Sequence, residues 1–159
     1  MSDPKSITFT LNGQERTFDV DPDEKLLDLL RRADCKSVKM GCREAACGAC
    51  TVILDGQTVY SCILYAWQAH GREVITVEGI GDYGRPDPIQ RALVDAGAVQ
   101  CGYCIPGMIM SAKAMFDENP EPDDDEMRER MDGNLCRCTG YEKIWVALHN
   151  VIEQNRSQG

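Results

Sequence analysis

Eight of the nine cysteines in this chain of 159 residues fall into two groups of four. In "GCREAACGACTV" Cys42, Cys47 and Cys50 follow one another as C-x4-C-x2-C, and Cys62 comes after eleven intervening residues. The second group is Cys101 and Cys104, spaced C-x2-C, then Cys136 and Cys138, spaced C-x-C. Nothing else restricts the fold as strongly, because each group must bring thiols from separate segments to one place. Disulfides, a zinc ion, a catalytic thiol and an iron–sulfur cluster are the candidates. "MSDPKSITFT" at the N-terminus has no apolar h-region, and no apolar run approaches the length of a membrane span. A soluble cytoplasmic protein is therefore expected. Disulfides are rare there, and an odd count leaves one thiol unpaired in any full scheme. A metal framework is the better class.

The hydrophobic pattern divides the chain. Ile7, Phe9 and Leu11 alternate with polar residues, Asn12-Gly13 turns the chain, and Phe18 and Val20 return, which predicts a hairpin over 5–20. "DPDE" at 21–24 predicts a helix start with Asp21 as N-cap, Pro22 at N1 and Glu24 at N3. Leu26, Leu27 and Leu30 then share a helical face up to about Arg32. "TVILDGQTVYS" predicts a second hairpin around Asp55-Gly56, and "REVITVEGI" one more strand. The predicted class is α+β: a β-grasp N-terminal domain over 1–79, a linker over 80–88 and a four-helix C-terminal domain over 89–159. Helix, cysteine pair, helix occurs twice in that second part.

The first group has the spacing of plant-type ferredoxins, which hold a 2Fe-2S cluster on four thiolates. Its neighbours suit that chemistry. A loop wrapping a cluster must bring its backbone close, and Gly41, Ala45, Ala46, Gly48 and Ala49 are small. Zinc sites more often use separated C-x2-4-C pairs. The second group is ambiguous by spacing, since zinc also takes such pairs. A cluster is favoured where helix N-termini converge on an anion, and zinc stays open. Cys35 lies outside both spacings and reads as a small packing residue.

Together, "GCREAACGACTVILDG", "VQCGYCIPGM" and "GNLCRCTGY" resemble the small iron–sulfur subunit of the molybdenum hydroxylases, the family of xanthine dehydrogenase, aldehyde oxidoreductase and carbon monoxide dehydrogenase. The likeness covers nearly the whole chain. It implies a 2Fe-2S cluster in each domain, with Cys42, Cys47, Cys50 and Cys62 as one ligand set and Cys101, Cys104, Cys136 and Cys138 as the other. It also implies partners: a large subunit with a molybdenum–pterin cofactor, and a medium subunit with FAD that usually takes the electrons. Gln100 matches a family position that hydrogen-bonds the pterin, and Cys138 matches the ligand beside it. The family usually has glycine where this chain has Ala45. The chain has no room for molybdenum or flavin domains, so a free-standing subunit is expected.

Other features exclude competing classes. A formal net charge of −9 argues against nucleic-acid binding. Gly79, Gly81 and Gly84 spell G-x-G-x-x-G, but "RPDP" intervenes before any helix and no second parallel strand follows, so the stretch reads as linker. Met108, Met110, Met115 and Met127 read as helix packing, and His70 and His149 have no ligand-like spacing. No Ser/His/Asp or Cys/His set is evident, so no bond chemistry on a substrate is expected of this chain. The expected role is an electron-transfer subunit of an oxidoreductase. The alternatives are a stand-alone two-cluster ferredoxin and an iron–sulfur redox sensor.

Overall fold

The two turn dipeptides do what their chemistry demands. A two-residue hairpin turn of the favoured hand needs positive φ at both central positions. Asn12 and Gly13 stand at φ 51° and 76°, Asp55 and Gly56 at 49° and 81°. The first turn joins β1 (Lys5–Leu11) to β2 (Gln14–Val20), and the second joins β3 (Thr51–Leu54) to β4 (Gln57–Tyr60). The structure, a computed structural model, describes residues 5–158. Residues 1–4, part of the N-terminal stretch read above, lie outside the described residues.

A fifth strand, β5 (Glu73–Ile75), completes one mixed sheet in the order β2-β1-β5-β3-β4. It runs parallel to β1 and antiparallel to β3. It is shorter than the alternation in "REVITVEGI" predicts. The side-chain oxygen of Asn12 accepts from Thr76 N–H at 2.8 Å, ending the ladder, and Val77–Gly79 then turns as a 3-10 segment.

Helix α1 (Leu26–Arg32) lies across one face, burying Leu26, Leu27, Leu29 and Leu30 against Ile7, Phe9, Leu11, Val52, Leu54 and Val74. Each buried leucine contributes about 1.5–3 kcal/mol. The predicted N-cap is wrong. Residues 21–24 close a turn, with Glu24 N–H donating to the Asp21 carbonyl at 3.0 Å, and the Lys25 side chain makes no cap bond. Instead Lys25 is bridged to Tyr65, and the first free N–H groups of α1 find carbonyls: Leu26 N donates to Leu64 O at 2.9 Å and Leu27 N to Ser61 O at 3.0 Å. The segment around Cys62 thus caps the helix, and the helix in turn fixes that segment.

Four more helices follow: α2 (Pro88–Asp95), α3 (Ile105–Glu118), α4 (Asp124–Met131) and α5 (Glu142–Gln158). Asp87 caps α2, accepting from Ile89 N–H at 2.9 Å while Gln90 reaches back to Asp87 N–H. Asp123 caps α4 through Glu126 N–H, with Asp124, Asp125 and Glu126 in the first turn, where the dipole favours them. Helix α2 packs on α5, and α3 on α4. Met108, Met110, Met115 and Met127 are all buried in the core between them.

That second core includes Ile53 of β3. Helix α3 covers the face of the sheet opposite α1, so every residue of Thr51–Leu54 is buried. The sheet is therefore the middle layer of the molecule, and both cysteine groups lie at one of its ends.

Candidate metal centres

The loop carrying the first three thiols is built from unusual backbone. Arg43 and Ala45 both stand at φ 62° and Gly48 at 70°. These turns aim amides at sulfur: Glu44 N and Ala46 N lie 3.4 and 3.3 Å from Cys42 Sγ, and Cys42 N lies 3.4 Å from Cys47 Sγ. Donors of this kind stabilise thiolate. The Glu44 N–H foremost, with Ala46, brings the Cys42 thiol down to about 7. Gly41 packs against the same group, since a Cβ there would meet Cys47 Sγ at 2.6 Å. Arg43 pairs with Asp28 of α1 at 2.7 Å, tying the loop to the helix. Cys50 and Cys62 lie deeper, 2% and 4% exposed, and burial pushes the Cys50 thiol up to about 12.

The second group joins two interhelical loops. Cys104 directly precedes α3, and burial pushes it up to about 12. Cys136 Sγ accepts from the Thr139 hydroxyl at 3.1 Å. Burial would raise this thiol, but the Thr139 and Cys138 donors outweigh it and hold it below its ordinary value. Cys101 and Cys138 are both exposed, with their sulfurs 3.6 Å apart, and Cys138 is raised by facing Cys101.

In both groups the thiols meet in twos: Cys42 with Cys47, Cys50 with Cys62, Cys101 with Cys138, and Cys104 with Cys136. Among the described residues, no three His, Cys, Asp or Glu side chains converge as one ion requires. Tetrahedral zinc gathers four ligands on one point. A 2Fe-2S cluster takes four thiolates on two irons, and a donor set arranged in pairs fits it. The two groups also face one another. A cavity of about 230 Å3 is lined by Cys42 and Cys47 on one side and by Cys101, Cys104, Cys136 and Cys138 on the other.

The comparisons agree with that chemistry. Residues 9–74 match the family model described as a 2Fe-2S iron-sulfur cluster binding domain, and residues 76–149 match a second, described as a [2Fe-2S] binding domain. The nicotinate dehydrogenase small FeS subunit of Eubacterium barkeri is 49% identical over 150 residues, which cover 94% of this chain and 96% of that protein. The structure of quinoline 2-oxidoreductase from Pseudomonas putida 86 contains a chain matching with a TM-score of 0.92 at 41% identity, over 98% of both chains. The chain belongs to the small iron–sulfur subunits of the molybdenum hydroxylase family. Aldehyde oxidoreductase of Desulfovibrio desulfuricans matches with a TM-score of 0.93 at 41% identity over 97% of this chain, but over only 17% of its own longer chain. As a small iron–sulfur subunit, this chain binds two 2Fe-2S clusters and serves an oxidoreductase in electron transfer. Among the described residues no helix is long and apolar enough to cross a membrane.

Other residues fall where their chemistry puts them. Gln100 is exposed and lies beyond α2, which ends at Asp95, so it caps no helix. Cys35 is buried, with Asn12 Nδ2 3.9 Å from its sulfur; burial raises its thiol. His70 accepts from Thr8 N–H at 3.0 Å, and His149 lies 3.4 Å from Asp124.

Two residues of the iron–sulfur subunit escape a reading by spacing. Tyr141 stands at φ 68°, and its hydroxyl accepts from Cys136 N–H at 2.8 Å. Asn134, 3% exposed, donates from Nδ2 to the Gly48 carbonyl at 3.1 Å, joining the two cysteine loops. The only sequence sign of either is a polar or bulky residue inside a tight motif, "GNLCRCTGY".

Proposed function

We propose that the chain relays electrons from a molybdenum–pterin site on a large subunit to FAD on a medium subunit. In this reading Cys42, Cys47, Cys50 and Cys62 hold one cluster and Cys101, Cys104, Cys136 and Cys138 the other. Each cluster, when bound, supplies a one-electron carrier. The observation that carries the reading is the shared cavity, with Cys42 and Cys47 facing the second thiol set and Cys101 and Cys138 exposed at its rim. The exposed pair gives the donor subunit an edge to meet, while Cys50 and Cys62 are shielded from solvent. Arg43, Glu44 and Ala46, also exposed, offer the acceptor subunit the other loop. Gln100, next to Cys101 and exposed, would hydrogen-bond the pterin. The residues of this chain bind, space and shield the carriers; the substrate is oxidised elsewhere and is not selected here.

Two measurements test this. The tagged chain should co-purify an untagged large and an untagged medium subunit; isolation alone with both clusters intact would establish the stand-alone ferredoxin. Gln100→Ala should leave the free chain unchanged and slow reduction of the clusters by substrate in assembled enzyme of equal iron and molybdenum content. Losing its bond would leave a buried pterin group unsatisfied, at about 1–3 kcal/mol. Identical reduction rates and pterin retention would remove Gln100 from the proposal.

A further inference from the structure

The two cysteine loops touch through a short set of polar contacts. Leu135 N–H donates to the Cys47 carbonyl at 3.0 Å. Cys47 is itself in the first thiol set, and Leu135 precedes Cys136 of the second. One hydrogen bond and the backbone of one residue therefore connect the two sets. Immediately beside it, Asn134 Nδ2 donates to the Gly48 carbonyl at 3.1 Å and lies 3.4 Å from Thr51 Oγ1, while its Oδ1 accepts from the Ser111 hydroxyl at 2.6 Å. The loops approach because side chains are missing: a Cβ on Gly48 would fall on the Gly133 carbonyl, and a Cβ on Gly107 on the Gly48 carbonyl.

Asn134 is an expensive choice for packing alone. A buried amide must have partners merely to break even, and an apolar pair of the same shape serves stability as well. What the amide adds is register. It holds Gly48, the residue after Cys47, against Asn134, the residue before Leu135, so the neighbouring Leu135–Cys47 bond has one length and one direction. Electronic coupling falls off more slowly along bonds than across a gap, so fixing this bond fixes the coupling. We infer that Asn134, braced by Ser111, is a positioning residue for electron transfer between the two clusters, acting through the Leu135 N–H to Cys47 carbonyl bridge. The inference rests on the two-cluster reading above.

The test uses the full chain loaded with both clusters. Asn134→Leu with Ser111→Ala replaces both members of the pair by apolar groups, and the Gly48 carbonyl keeps its bonds from Thr51 N–H and hydroxyl. A merely structural pair would make this variant silent by every measure. The expected result is unchanged iron content and melting, loss of the spin–spin splitting between the two reduced clusters, and slower electron equilibration between them after rapid one-electron reduction. Wild-type splitting and wild-type equilibration would overturn the inference. If the double variant does not hold both clusters, Asn134→Ser, too short to reach Gly48, is judged by the same two readouts. Tyr103→Phe removes the separate Tyr103 to Met40 bond and should keep the splitting; an equal loss there would overturn the assignment to the Leu135–Cys47 bridge. Wild-type chain lacking two distinct cluster signals would instead defeat the two-cluster reading.

Discussion

Replacing Ala45 by glycine should strengthen the loop that carries Cys42 and Cys47. Ala45 stands at φ 62°, where the Cβ of an L-residue crowds the carbonyl oxygen. That costs about 1–2 kcal/mol. Glycine removes the clash but brings a more flexible unfolded chain, which takes back about 0.4–1 kcal/mol. The net expectation is a stabilisation of about 0.5–1 kcal/mol, or roughly a 2- to 5-fold slower loss of the cluster if the loop must open for iron to leave. The loop supplies a built-in contrast. Gly48 has almost the same φ, 70°, but its missing Cβ is replaced by the Gly133 carbonyl and, at 2.6 Å, Asn134 Nδ2. Ala45→Gly should therefore stabilise, Ala45→Val should destabilise beyond the wild type, and Gly48→Ala should prevent the first cluster from forming. The assay is the rate of visible bleaching of the loaded chain under an iron chelator, with thermal melting alongside. A glycine variant that bleaches as fast as the wild type, or faster, would refute the strain argument, because the positive φ would then carry no cost in this loop.

The remaining expectations follow from single contacts. Cys35→Ser should keep four irons per chain, two for each of the two matched domains, at a stability cost of about 1 kcal/mol; loss of one cluster would mean that a ligand has been misassigned. Glu78 accepts from Ser37 N–H and hydroxyl at 2.8 and 2.5 Å and from the Thr76 hydroxyl at 2.7 Å. Burial alone would raise its carboxyl, but these donors outweigh it and hold the carboxyl below its ordinary value. Its contribution is thus complete above the unfolded carboxylate pKa and is lost as pH falls through the lowered folded one. Glu78→Gln should cost about 1 kcal/mol after discounting for solvent, and acid-titration melts should show a smaller loss of stability on acidification than in the wild type; an equal loss would clear Glu78 of the role. Tyr141→Phe should free Cys136 N–H, costing about 1–3 kcal/mol and speeding loss of the second cluster only; equal lability of both clusters would contradict this.

What could be read from the sequence was the chemistry that acts over a few residues. Asn12-Gly13 and Asp55-Gly56 have few ways to turn a chain, so both hairpins were legible, as was the first thiol group, whose spacing is itself a geometry. Reading failed where a distant partner supplied what local chemistry usually does. Asp21 has the composition of an N-cap, but the free N–H groups of α1 were already taken by Ser61 and Leu64, residues that only the sheet brings near. "REVITVEGI" alternates like a longer strand, but the side chain of Asn12 takes the next ladder donor. Spacing alone left the second thiol group between zinc and a cluster, since C-x2-C and C-x-C say nothing of which thiols meet; the pairing of Cys101 with Cys138 across two loops is a tertiary fact. Asn134 shows why sites are harder to read than folds. It touches no thiol, and its partners Gly48 and Ser111 lie far away in sequence. Its place is set by two glycines, Gly48 and Gly107, whose importance is the atoms they lack. A residue that works by holding two other segments in register leaves no periodicity and no spacing, so only the assembled contact reveals it.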